Sequence, residues 1–353
     1  MTRAIVVGFR PTHSGSDALT LGVRLARSTG ARLHVVTVLP GEGAPAAAPE
    51  SSQETPAQKQ AHAGLLQTAA QIPAGIAHSV HVRLGESVAE GLTDAAREFD
   101  ARLVVVGAAN GGLFGYHRIG TVAGELLHSS PVPVALAPAG LARAADADAD
   151  LTRVTAAFGT RPGADLLLDA SVDLATASGS SMRLVSLVPL DVPASLGFGA
   201  MSLVDGALGD DVLARASEAL PAGTAAEVER AAGGTIEEAV ARLSWRPGEV
   251  LVVGSSRLAQ PRRLFLGSTA AKMLHVLPVP MIVVPRTSHD PLSDRDASHR
   301  DPTIVRPEQN TMLGDTTAER ADMIGFSYGI AVVRRAVAAM NTAHPRSPGL
   351  AQG

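Results

Sequence analysis

The chain has 353 residues, 46% of them hydrophobic and 18% charged, with a formal net charge of −4; this length suits two ordinary domains with well-buried cores. Lysine and arginine number 30 against 34 aspartate and glutamate, and aromatics make up 3%, so a nucleic-acid partner is not expected. Cysteine is absent, which excludes disulfides, zinc ribbons and thiol nucleophiles and suits a cytoplasmic setting.

The opening MTRAIVVGF carries one arginine and a short apolar run broken by glycine. A secretory leader needs a longer apolar region, and no stretch approaches the roughly eighteen apolar residues of a membrane span. A soluble, intracellular protein with no membrane partner is expected.

In chain order, Ala4 to Phe9, Leu33 to Leu39, Ser79 to Leu84, Leu103 to Val106 and Val132 to Ala137 are predicted strands. The runs around Val104 and Val134 are apolar at consecutive positions, the pattern of strands covered on both faces. Between them, Asp17 to Ser28, Gln58 to Gln71, Val88 to Phe99 and Val122 to Leu127 are predicted helices. Alternation of strand and helix implies right-handed crossovers and a parallel sheet, an α/β fold.

The order then repeats. Gly30 and Gly179, Pro40 and Pro189, and Phe9 and Phe158 are each 149 residues apart. Near the end of each half the offset is 147, matching Gly107 with Gly254, Gly120 with Gly267, Thr121 with Ser268 and His128 with His275. Three prolines of SSPVPVALAP match those of VLPVPMIVVP in the same way. So many shared markers indicate a tandem duplication.

The expected organisation is a first domain over 1–138, a linker over 139–150, a second domain over 151–286 and a tail over 287–353. The linker, AGLARAADADAD, is small and acidic, and its aspartates are read as solvated. Irregular insertions follow the second strand of each copy. The tail is polar and rich in Pro, Asp and Arg, the composition of a disordered extension, with one candidate helix over 318–340.

One stretch bears on function. In VVVGAANGGLFGYHRIGT an apolar strand stops at Gly107, a loop follows, and Gly120-Thr121 opens a helix. In an open parallel sheet, ligands gather beyond the carboxyl ends of the strands. A helix opening there presents unpaired N–H groups and a positive dipole end, a seat for an anion. The hydroxyl of Thr121 can meet a phosphate oxygen, or it can cap the helix with no ligand at all.

The spacing Gly107-x2-Asn110-x9-Gly120-Thr121 resembles the Gly-x2-Gly-x9-Gly-Ser/Thr signature of the universal stress protein family. The second copy carries Gly254-x2-Arg257-x9-Gly267-Ser268. The PVPV and PVPM prolines and the IVVGF opening are similar to that family too. The resemblance covers about 1–138 and 151–286. It implies two Rossmann-like (HUP-type) domains, each a five-stranded parallel sheet of order 3-2-1-4-5 with flanking helices. It also implies a cytoplasmic stress-response or regulatory module that is not an enzyme. ATP or another adenine nucleotide is implied as ligand, held by Val38, Val106, Gly107, Asn110, Gly120, Thr121 and Val122 in the first domain. Family members associate through fifth strands, so the resemblance further implies that the two domains form an intramolecular pseudo-dimer, with a homodimer as a further association.

The match is incomplete. ATP-binding members carry an Asp just after strand one, where this chain has Arg10 and Gly159. Arg10 is a candidate phosphate ligand, as are Arg257, Arg262 and Arg263 in the second copy, or else these are solvated loop arginines. Asn110 tolerates the left-handed backbone region and Arg257 does not. Gly254, Gly267 and Ser268 therefore form the weaker, degenerate site.

Other chemistries lack their motifs. There is no P-loop sequence, no dinucleotide fingerprint and no nucleophile elbow. Eleven histidines show no close pair on one helix face, so no metal site is expected; His128 and His275 are read as helix-end caps. No catalytic constellation is visible. A nucleotide-dependent enzyme on the same sheet, a nucleotidyl transferase or hydrolase, is the alternative class.

Overall fold

The structure, a computed structural model, describes residues 4–41, 55–109, 119–158, 164–189, 213–214, 216–221, 224–255 and 266–285. All of these belong to one compact unit, Met1–Asp294. The tail from 287, its candidate helix at 318–340, and most of both insertions lie outside the described residues.

The first half builds β1 (Ala4–Gly8), α1 (His13–Thr29), β2 (Arg32–Pro40), α2 (Pro56–Ala69), β3 (His78–Gly85), α3 (Val88–Glu98), β4 (Ala101–Gly107), α4 (Thr121–Ser129) and β5 (Val134–Ala137). The second half builds β6 (Arg153–Phe158), α5 (Ala164–Ser178), β7 (Ser181–Pro189), β8 (Ala226–Gly233), α6 (Ile236–Arg242), β9 (Glu249–Gly254), α7 (Ser268–Val276) and β10 (Met281–Val284). These strands form one ten-stranded sheet of order β3-β2-β1-β4-β5-β10-β9-β6-β7-β8. Each half is parallel with order 3-2-1-4-5. The halves join where β10 runs antiparallel to β5, pairing Met281 with Leu136, Ile282 with Ala135 and Val283 with Val134. That junction covers two strand edges that would otherwise be open to other chains.

The consecutive apolar runs are buried on both sides. Val7, Leu33, Val35 and Val105 pack on one face with Leu21 and Leu25 of α1. Val6, Val36, Val104 and Val134 pack on the other with Leu92 of α3 and Leu126 of α4. The duplication extends to backbone geometry: Gly30 and Gly179, which follow α1 and α5, have φ of 68° and 65°. Side chains rarely adopt that left-handed turn, so glycine ends both helices.

Three expectations need correction. Helix α1 starts a turn before Asp17, because Thr12 Oγ1 accepts from Gly15 N at 3.2 Å and caps the chain there. The fifth strand starts at Val134 rather than Val132, after Pro133, which has no N–H to give a ladder. The linker is not simply solvated. Asp17, buried in α1, accepts from Gly140 N at 2.9 Å and Ala142 N at 2.8 Å. Buried Arg24 donates to Asp146 O at 2.5 Å, and Arg27 pairs with Asp150 at 2.6 Å. The acidic stretch is fastened along α1 by two arginines and one carboxylate.

The second half carries a buried ionic network. Glu249, fully buried at the start of β9, accepts from Arg153 at 2.7 Å, Arg183 at 2.8 Å and Arg246 N at 2.9 Å, and also from the Thr155 hydroxyl. The two arginines reach on to Glu227 at 3.1 Å and Glu229 at 2.8 Å on β8. Charges this deep are tolerated because each has partners.

Candidate functional site

The switch point of the first half lies between β1 and β4, where chain order reverses direction across the sheet. Four groups of the expected residues collect at this carboxyl edge: Arg10 after β1, Val38 late in β2, Val106 and Gly107 ending β4, and Gly120, Thr121 and Val122 opening α4. Asn110 lies outside the described residues. In the second half Gly254 ends β9 and Gly267 and Ser268 open α7, while Arg257, Arg262 and Arg263 lie outside them.

These residues differ in accessibility. Arg10 and Thr121 are exposed. Val106 is buried in the core between sheet and α4. Val38 is buried too, packed so closely on α3 that a Cβ on Gly91 would stand 2.7 Å from it. Gly107 has its own neighbour: a Cβ there would lie 2.0 Å from Ser14 O. Its missing side chain lets the first turn of α1 approach β4, so close packing alone accounts for this glycine. Gly254 meets no described atom within 4 Å.

The helix starts show a contrast. Helices α1, α2, α3 and α6 are each capped by a hydroxyl, from Thr12, Thr55, Ser87 and Thr235. Helices α4 and α7 begin at Gly120 and Gly267 with no side-chain cap. Thr121 stands one residue past the capping position, so its hydroxyl does not take the role of Thr12 or Ser87. The N–H groups of the first turn of α4 therefore point toward the carboxyl edge with no side-chain cap among the described residues, beside Ala109, whose Cβ is 3.3 Å from where a Gly120 Cβ would be. This arrangement can accept an anion on backbone N–H groups.

His128, in the last turn of α4, bonds the Gly124 carbonyl at 2.5 Å through Nδ1. Among the described residues no group of three or more His, Cys, Asp or Glu is placed to hold a metal ion. Nor is any described helix long and apolar enough to cross a membrane. A cavity of about 130 Å³ lies between the halves, lined in part by Arg24, Gly140, Asp146, Gly248 and Pro280, and none of the expected site residues lines it.

Two α/β halves of one topology, each with a Gly-Thr or Gly-Ser helix start at the strand ends, define a doubled Rossmann-like protein. The sequence model of the universal stress protein family matches residues 1–138 and 151–285, and the chain belongs to that family. Universal stress proteins of Mycobacterium tuberculosis and Mycobacterium bovis are 29% identical to it over 80% of this chain and 99% of theirs. A universal stress protein structure from Archaeoglobus fulgidus superposes with a TM-score of 0.54 at 16% identity, over 80% of this chain and 98% of that one.

Proposed function

We propose that the protein is a cytoplasmic stress-response module that binds an adenine nucleotide, such as ATP, in its first half. In this reading the second half keeps a degenerate site. The observation that carries it is the pair of uncapped helix starts at Gly120 and Gly267, set against the hydroxyl-capped starts of α1, α2, α3 and α6. Phosphates take the N–H groups of α4, with Thr121 beside them and Arg10 within the same edge. The asymmetry rests on residue type: asparagine, at 110, tolerates a left-handed turn, whereas arginine, at 257, would adopt one at a cost of about 1–2 kcal/mol, roughly a tenfold loss of affinity.

Calorimetric titration of ATP and AMP into the full chain tests this. A valine at Gly120 adds methyls against Ala109, so Gly120→Val is expected to abolish binding while Gly267→Val leaves it nearly intact. Equal losses overturn the asymmetry, and no binding by the unmodified protein overturns the proposal. Product analysis with ATP and magnesium covers the enzyme alternative: turnover that Gly120→Val removes would move the protein to that class.

A further inference from the structure

A cluster on the sheet of the first half lies apart from the carboxyl edge. His34 on β2 is cross-strand partner to Ser79 on β3, and His81 follows two residues later on the same face. Ser79 Oγ is 2.9 Å from His34 Nδ1 and 2.8 Å from His81 Nε2, and those two nitrogens are 3.4 Å apart. Phe99, just past α3, stacks on His34 with centroids 4.1 Å apart and planes within 4°. It also meets His81 at 4.5 Å. The cluster therefore ties β3, which among the described residues has a strand on one side only, to β2 and to the end of α3.

The triangle has a fixed proton count. A hydroxyl carries one proton, so Ser79 donates to one imidazole and accepts from the other. One facing nitrogen is then protonated and the other bare. Charging one ring places a cation in a partly buried site, since His34 is buried while Ser79 and His81 are half-buried. Charging the ring whose facing nitrogen is bare already sets two N–H groups against each other over one oxygen. The surroundings give little compensation. Of the charged groups on β2, β3 and α3, Arg32 and Arg83 repel a proton and only Glu98 attracts one. Glu98 is already paired with Arg83 at 2.5 Å. Asp94 and Arg97 pair with each other on the exposed side of α3. The ring of Phe99 already has the Arg83 guanidinium 5.2 Å from its centroid. Strand β1 contributes no titratable side chain.

We propose that His34, Ser79 and His81 form an acid-sensitive latch, which holds the outer strand β3 of the first half to the sheet and releases it on acidification. Burial, reinforced by His81 and Arg32, brings His34 down to about 4 from 6.5, and burial lowers His81 as well. A group held below its free value contributes stability that is full above that value and lost as pH falls through the folded one. The window for His34 thus runs from about 6.5 down to about 4. The second half lacks this device. At the matching register Arg183 faces Glu227 and pairs with Glu229.

Hydrogen exchange on the full chain at pH 7 and pH 5, corrected for intrinsic chemistry, tests the latch. Amides of 32–40 and 78–85 are expected to lose protection about tenfold or more, and those of 181–189 and 226–233 much less. Equal change in both halves, or none in the first, overturns the proposal. His34→Asn and His81→Gln keep a polar atom toward Ser79 with no proton to gain, and should flatten the dependence. If either variant does not fold, histidine titration by NMR in the unmodified chain decides: a His34 value near 6.5 overturns the latch.

Discussion

The two halves share a topology, yet they hold their outer strands by different chemistry. In the first, the β2–β3 face carries two neutral imidazoles, a hydroxyl and Phe99. In the second, the β7–β8 face carries Arg183, Glu227 and Glu229, with the Arg183 guanidinium 5.0 Å from the centroid of Trp245. Both solutions place an aromatic ring beside the polar group that links the strands. What differs is charge. Neutral groups cost little to bury but can gain a proton; ion pairs keep their state near neutrality but rely on every partner being present. One fold thus accommodates an outer strand held by neutral polar groups and another held by ion pairs.

Removing the centre of the second network should have the largest effect. Glu249→Ala leaves Arg153 and Arg183 buried without their shared carboxylate, a loss of about 3–5 kcal/mol in urea or thermal unfolding. Ser79→Ala in the first half should cost about 1 kcal/mol, a net hydrogen-bond contribution. If the two variants lose equal stability, the contrast between the halves is wrong.

Asp17→Ala comes next, at about 2–3 kcal/mol, since it strips two backbone N–H groups of the linker of their shared side-chain acceptor. Leu166, which has no carboxylate, stands at the matching position of the second half. Faster proteolysis within 139–150 in the variant would locate the effect, and unchanged linker cleavage would contradict it.

The glycine that ends β4 gives the next test. Gly107→Ala forces a methyl against Ser14 O and should cost about 1–3 kcal/mol. A neutral Gly107→Ala would remove close packing as the reason for that glycine. Smallest of all, Arg27→Ala should shift stability by less than about 1 kcal/mol, because its pair with Asp150 is exposed.

Much of the fold was legible in the residues. Val104 to Val106 and Val134 to Ala137 are apolar at every position because both faces of those strands are covered, and that pattern separates them from helices. Gly30 and Gly179 were legible as a repeated pair because a left-handed turn selects one residue type wherever it recurs. The candidate site was legible as a spacing only. That Gly120 and Gly267 leave their helices uncapped, while Ser14 fills the space beside Gly107, required coordinates.

Sequence by itself determined the duplication, the α/β alternation and the family, because these rest on local periodicity and on fixed offsets along the chain. Tertiary structure alone decided which polar residues meet. Glu249 joins Arg153 and Arg183 across 96 and 66 residues, His34 meets His81 across 47, and Asp17 reaches Gly140 across 123. Such meetings depend on strand register and on where a linker lies down. Both are set by packing and backbone hydrogen bonding between distant segments, and a one-residue slip would turn each of these strand side chains to the opposite face.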